Sequence, residues 1–385
     1  MKHKRTFTIV MLYIALFIFP ALSEGQPVQL QKHVSELFDK QVHRAGVTSG
    51  FLLLHSASMD LHIEFARADT SQISAVTSDT PFYTASITKS LTAAVVMKLA
   101  ENGVLDIDEV ITEYLPDRLT DSLHVFDGID YTGQITLHHL LSHTSGLADY
   151  FTDEPISGSN MLTEILQQPD RFWEADELIS FAKDRFSPHF LPGEGFHYSD
   201  TGYVLLGLIA EETTGKNLHE LYSEIIFEPL QMSRSYMNLR SEPADERTPP
   251  MASLHAGPYT IGHFRSLSAD WGGGGVVSTL NDLLAFSRVL NSDGLLGESS
   301  RRAMKQWRTE SSQTSYGYGL RKWVVPAGSS NSPAISLIGH TGATGSFMYY
   351  SPELDLHVIG TFNQTETGGT NHEYLSEIVN LFSTY

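Results

Sequence analysis

Ser86-Ile87-Thr88-Lys89 joins the two residue types needed to turn an alcohol into a nucleophile. A free serine hydroxyl attacks poorly and needs a base beside it. Lysine serves as that base if burial or a positive neighbour lowers its pKa. The apolar spacing of Ile87, Leu91, Ala94, Val95 and Leu99 predicts a helix over 86–102, with Gly103 as its stop. On that helix Lys89 lies one turn after Ser86 on the same face. The free N–H groups of a helix start also favour developing negative charge. Alone, the tetrapeptide describes a capping serine and a solvated lysine equally well.

Two further segments carry compatible chemistry. Tyr198-Ser199-Asp200 follows the turn Pro192-Gly193-Glu194-Gly195 and precedes a helical pattern over 202–212. A phenol held there beside a lysine is stabilised as phenolate and acts as a base. The plainer alternative is a half-buried tyrosine with Asp200 as a helix cap. His340-Thr341-Gly342 ends a β-branched strand, and the glycines suit a strand edge that a substrate backbone approaches. The Ala343 N–H is then available to an oxyanion; the plainer alternative is a glycine-rich hairpin turn.

Other features invite chemistry less. His139 and His143 are four apart, a zinc-holding spacing, but no third ligand lies near them. Packing and hydrogen bonding account for both, and no metal or cofactor is expected. Ser142 beside His143 lacks the G-x-S-x-G elbow of a Ser-His-Asp hydrolase. Trp271 before Gly272–Gly275 has no following G-K-[ST], so it is a cleft wall or a core residue rather than part of a phosphate loop. Asn363-Gln364-Thr365 matches a glycosylation acceptor, relevant only in a eukaryotic secretory path.

The elements that must position these groups are strands at both ends of the chain and helices between. Residues 50–55 and 61–66 read as strands, as do 318–325, 334–339, 346–350 and 356–363. The turn Ser351-Pro352-Glu353 predicts an antiparallel hairpin of the last pair. Helical patterns cover 136–141, 202–212, 218–226, 280–290 and 373–382, and Thr279 with Asp282 opens one of them like a capping box. Neither strand set alone buries two faces. One sheet from 45–70 and 315–365 is therefore expected, with an inserted all-helical lobe over roughly 90–310 and a cleft between. The fold class is α/β (α+β), an antiparallel sheet flanked by helices.

The 385 residues contain no cysteine, which removes thiol nucleophiles, disulfides and cysteine-based metal sites. The net charge of −20 argues against nucleic acid and anionic membranes as partners. Lys2, Lys4 and Arg5 precede the apolar run Phe7 to Phe19, and Ala21-Leu22-Ser23 offers small residues for cleavage. Residues 1–23 are read as a cleaved secretory signal, the plainer alternative being an uncleaved N-terminal anchor, and 24–385 as one domain, periplasmic or secreted, without a membrane span after cleavage. The expected partner is a small-molecule or peptide substrate.

The order S-x-x-K, Y-S-[ND], [KH]-T-G resembles the penicillin-recognising serine hydrolases: class C β-lactamases, DD-carboxypeptidases, D-aminopeptidases and related esterases. Leu140-Leu141-Ser142-His143-Thr144-Ser145-Gly146-Leu147 and Gly274-Gly275-Val276-Val277-Ser278-Thr279 are similar to family segments. The resemblance runs from about Val34 to the C-terminus. It implies a β-lactamase/transpeptidase-like fold and an acyl-enzyme on Ser86. It further implies that Lys89 and Tyr198 move protons and that the N–H groups of Ser86 and Ala343 form an oxyanion hole. Asp200, His340, Thr341, Gly342 and Trp271 would bind substrate. Two departures stand out. Asp200 replaces a frequent asparagine and, ionised, only accepts hydrogen bonds. His340 replaces the β-lactamase lysine and attracts a carboxylate less. D-Ala-type peptides rank first on these motifs and small carboxylic esters next. The alternatives are a β-lactamase and a non-catalytic penicillin- or peptidoglycan-binding protein.

Overall fold

Strands from the two ends of the chain pair with each other. In the computed structural model, which describes residues 26–44, 46–68, 76–325, 334–365 and 371–384, strand Ser49–Ser56 lies between Leu61–Ala68 and Leu356–Thr361. The signal-peptide reading of residues 1–23 falls outside the described residues. The sheet continues through Phe347–Ser351, Ile335–Thr341, Arg321–Val325, Thr314–Tyr316 and Arg308–Thr309, making eight antiparallel strands. Phe347–Ser351 and Leu356–Thr361 form the expected hairpin.

Each strand side chain alternates between faces, and both faces are covered. Leu52 and Leu54 pack with Leu30, Val34 and Phe38 of helix Gln26–Val42 and Leu375 and Ile378 of helix Asn371–Phe382. Phe51 and Leu53 face the helical lobe. Covering both faces explains why Ser49–Ser56 is apolar without interruption from Phe51 to Leu54.

Helix Thr88–Glu101 runs through the centre of the lobe and is buried on all sides as far as Met97. It packs against helices Asp200–Thr214 and Trp271–Gly274. A fully enclosed helix loses the polar stripe of a surface helix. The expected helix 218–226 is an α-helix over Leu218–Tyr222 followed by a π turn, Ser223–Phe227. Helices Met161–Gln167 and Ala175–Arg185 were not anticipated. The first is short, and the side chain of Asn160 caps it through the Thr163 N–H at 3.2 Å. No helix among the described residues is long and apolar enough to cross a membrane.

Candidate active site

Ser86 sits on a single 3-10 turn, Ala85–Ile87, just before the central helix. The Thr84 N–H and hydroxyl both donate to the Val276 carbonyl, at 3.0 and 2.7 Å. Ala85 then takes a positive φ of 47°, an uncommon and costly conformation away from glycine. The result is a half-exposed Ser86 at the bottom of a cleft. Lys89, in the first turn of the helix, is completely buried. Its Nζ donates to Ser86 Oγ at 3.2 Å, to the Gly273 carbonyl at 2.9 Å and to Asp200 Oδ1 at 2.5 Å.

Gly273 is needed for that arrangement. A Cβ there would lie 2.3 Å from Asp200 Oδ1 and 3.5 Å from Lys89 Nζ. Asp200 opens helix Asp200–Thr214, and its N–H donates to Asp149 Oδ1 at 3.1 Å. The carboxylate foreseen as a substrate contact is therefore occupied as the partner of Lys89.

The electrostatics follow from this pairing. Burial by itself disfavours the Lys89 ammonium, but the Asp200 carboxylate beside it more than reverses that, and the pKa rises above the ordinary lysine value. The condition under which Lys89 would serve as the base, a lowered pKa, is not met, which leaves it the role of a cation that sets the local field. Tyr198 also titrates above its ordinary value, because burial outweighs the opposing pull of Lys89 and Arg321. Asp149, buried and next to Asp200, is pushed up to about 6. Asp270, half-buried and accepting the Tyr83 hydroxyl at 2.7 Å, is pushed up to about 7 by desolvation.

Tyr198 is held by the segment that resembled a family motif. The Ser199 N–H donates to His143 Nδ1 at 3.1 Å, and the hydroxyls of Ser199 and Thr201 donate to the Ala148 carbonyl at 2.8 and 2.7 Å. The His143 ring packs on Tyr198 with centroids 4.3 Å apart. Lys89 Nζ lies 4.8 Å from the Tyr198 ring centroid, and Tyr198 and Ser86 line one cavity. Tyr198→Phe removes the hydroxyl and keeps the ring packing. Turnover is expected to fall at least about a hundredfold with the melting temperature nearly unchanged; steady-state kinetics giving a near-normal rate would remove Tyr198 from the chemistry.

His143 lies beyond the end of helix Leu137–Leu141 with a positive φ of 56°, so it shares no helix face with His139. His139 closes the capping box of that helix instead. Ser142 hydrogen-bonds Thr144 and the His138 carbonyl.

Gly342 brings the end of strand Ile335–Thr341 against the nucleophile turn. A Cβ on it would fall 2.2 Å from Ser346 Oγ and 2.4 Å from the Thr84 carbonyl. Ala343 follows, exposed and lining the same cavity as Ser86.

Two expected substrate contacts, His340 and Trp271, differ. His340 is fully buried, with Nε2 3.0 Å from the Tyr316 hydroxyl and Nδ1 2.7 Å from the Thr341 carbonyl. It points into the layer under Tyr198, where no substrate carboxylate reaches it. Trp271 is 4% exposed and packs against Gly207, where a Cβ would be 2.7 Å from its ring. It is a core residue, not a cleft wall. Thr341 is half-buried and accepts from Arg321 Nη1 at 3.3 Å. Asn363 is fully buried and bonded to Ser49, so it is no accessible glycosylation acceptor.

The cavity above Ser86 holds about 530 Å³. Phe151, Leu162, Ile165, Leu166, Ile261 and Leu267 make its apolar wall, and Asp149, Asp200 and Asp270 are its carboxyls. None of these except Asp200 was foreseen. Most of the wall comes from the unanticipated helix Met161–Gln167 and from loops, which carry no periodic signal. The only hint of Gly273 was the run of four glycines.

A family model described as "Beta-lactamase" matches residues 34–378. The chain is 27% identical over 328 residues to "Penicillin-binding protein 4*" of Bacillus subtilis, covering 81% of this chain and 66% of that protein. The chain thus spans about two thirds of that relative's length. It is 33% identical over 162 residues to "Esterase EstB" of Burkholderia gladioli, 40% of this chain and 38% of the esterase. Among solved structures it resembles the D-amino acid amidase of Ochrobactrum anthropi SV3, complexed with L-phenylalanine amide. The TM-score is 0.76 at 24% identity, covering 92% of this chain and 99% of that one.

Proposed function

This chain belongs to the Beta-lactamase family of serine hydrolases, and we propose that within it the protein hydrolyses carboxylic esters or amides with an apolar acyl part. Ser86 Oγ attacks the carbonyl as its proton passes to Tyr198 in its phenolate form, and the protonated Tyr198 then gives that proton to the leaving group, which departs to leave an acyl-enzyme that water cleaves with Tyr198 again as base. Lys89, fixed as a cation by Asp200, lowers the cost of negative charge on Ser86 and Tyr198 as the proton moves. The N–H groups of Ser86 and Ala343 receive the oxyanion.

The observation that carries the substrate class is the lining of the cavity. Among its described residues there is no lysine, arginine or histidine to pair with a carboxylate, while Leu162 and Leu166 form a half-exposed apolar rim. Lys89 is held by Asp200, and Arg321, 5.6 Å from the Tyr198 ring centroid, spends its guanidinium on both oxygens of Glu310, at 2.7 and 2.5 Å. Stem peptides ending in D-alanine and β-lactams both carry a carboxylate, so esters move ahead of them in rank. The three carboxyls favour a second reading, an amide bearing a free ammonium, such as the phenylalanine amide of the amidase complex. Export to the periplasm or medium belongs to the same proposal and rests on Lys2, Lys4, Arg5 and the apolar run after them.

The test is kcat/KM over p-nitrophenyl acetate, butyrate and hexanoate, D-phenylalanine amide, a D-Ala-D-Ala peptide and a chromogenic cephalosporin. Each added methylene that enters the wall is expected to raise kcat/KM up to about fourfold. Turnover of the peptide or cephalosporin above that of the best ester would overturn the apolar-acyl reading.

A further inference from the structure

Asp153, His189 and His197 converge at the outer end of the loop that carries Tyr198. His189 Nε2 and His197 Nε2 both lie 2.8 Å from Asp153 Oδ2, and His197 Nε2 is 3.1 Å from Oδ1. The two rings lie against each other, tilted by 31° with centroids 3.7 Å apart. All three ligand atoms fall within 4.8 Å of one another. We propose that these residues form a zinc site, with two imidazoles and one carboxylate as ligands and water in the remaining position.

The chemistry of the donor set supports this. Two imidazoles and a carboxylate are a common zinc ligand combination, and bonds of about 2.0–2.1 Å at tetrahedral angles hold ligand atoms about 3.3 Å apart. The two 2.8 Å carboxylate spacings need only a small outward movement, and the rings, 31° apart, must rotate for both lone pairs to meet at the ion. His189 and His197 have side chains 40% and 26% exposed, so the rings have room for it and an ion can reach them from solvent. Without metal, each Nε2–H donates to the one carboxylate. On binding, each ring carries its proton on Nδ1 and gives the Nε2 lone pair to zinc.

The backbone around the site is already fixed. The His189 N–H donates to the Gly146 carbonyl at 2.8 Å and the His197 N–H to the His143 carbonyl at 2.9 Å. Asp153 Oδ2 also accepts from the Asp149 N–H at 2.7 Å. A bound ion therefore ties the turn at Asp149 to the loop ending in Tyr198. The site is a structural clamp beside the catalytic groups, with no part in the acyl chemistry.

The test is zinc titration of the purified full chain by calorimetry, with thermal unfolding followed at increasing ZnCl2. One zinc per chain is expected, with a melting temperature that rises with zinc concentration. His189→Ala and His197→Ala are each expected to weaken binding by more than the about tenfold that losing an outer partner of a metal site costs. Ser86→Ala and His139→Ala should bind zinc as the wild type does. His189 is exposed, so its replacement leaves the fold intact. No stoichiometric zinc uptake, or unchanged affinity in the double variant His189→Ala/His197→Ala, would overturn the site. Ester turnover by the zinc-free enzyme is expected either way, which separates this result from the fate of the hydrolase reading.

Discussion

Ser86→Ala is expected to lower turnover of every ester and amide substrate by at least about a thousandfold. Covalent labelling by a fluorophosphonate should vanish with it. The hydroxyl is half-exposed and accepts one bond from Lys89, so its loss leaves little uncompensated. Lys89 keeps Asp200 and the Gly273 carbonyl as acceptors. The melting temperature should therefore stay within a few degrees of wild type, and lost activity cannot be ascribed to unfolding. Residual turnover should reflect only bound substrate meeting water near the oxyanion donors. Equal labelling of wild type and variant would mean that another residue is the nucleophile. Full-strength ligand binding with no turnover in the wild type would instead favour a binding protein.

Lys89→Met should damage both stability and rate. The methionine fills a similar volume but leaves the Asp200 carboxylate buried, with its ammonium partner gone. Breaking a buried pair on one side costs about 3–5 kcal/mol. Turnover should fall at least about a hundredfold, because charge on Ser86 and Tyr198 loses its counter-ion. The discriminating measurement is a double-mutant cycle read from urea unfolding. Lys89→Met/Asp200→Asn removes both charges and is expected to regain most of the lost stability while remaining inactive. A Lys89→Met protein within about 1 kcal/mol of wild type would show that the pair is not desolvated as the 2.5 Å contact and full burial imply. A double variant as unstable as the single would assign the loss to packing rather than charge.

The role of Asp200 shows how one substitution redirects a site. An asparagine there would both donate and accept, leaving the lysine without a full counter-charge. The aspartate makes Lys89 a fixed cation, and two further carboxyls, Asp149 and Asp270, stand in the same cavity. Burial raises both pKa values, to about 6 and about 7. Such carboxyls stabilise the fold fully below the unfolded value of about 3.9, and that contribution is lost as pH rises through 6 to 7. The cavity thus becomes more negative near neutral pH, which disfavours anionic substrates.

What the sequence by itself determined is whatever local periodicity encodes. The three-residue step from Ser86 to Lys89 places both on one side of a helix start, and they meet at 3.2 Å. Apolar strand segments at both chain ends implied one shared sheet, because a strand with two apolar faces needs cover on each. The hairpin around Pro352 and the caps at Thr279 and Gly103 are likewise local. Tertiary structure alone decided which way His340 and Trp271 turn, what pairs with Lys89, and what walls the cleft. Those outcomes depend on partners 111 and 184 residues from Lys89, and on helix Met161–Gln167 meeting loops from distant parts of the chain. Spacing along a chain fixes the face of an element, but the surroundings of that face are fixed only when remote segments pack against it.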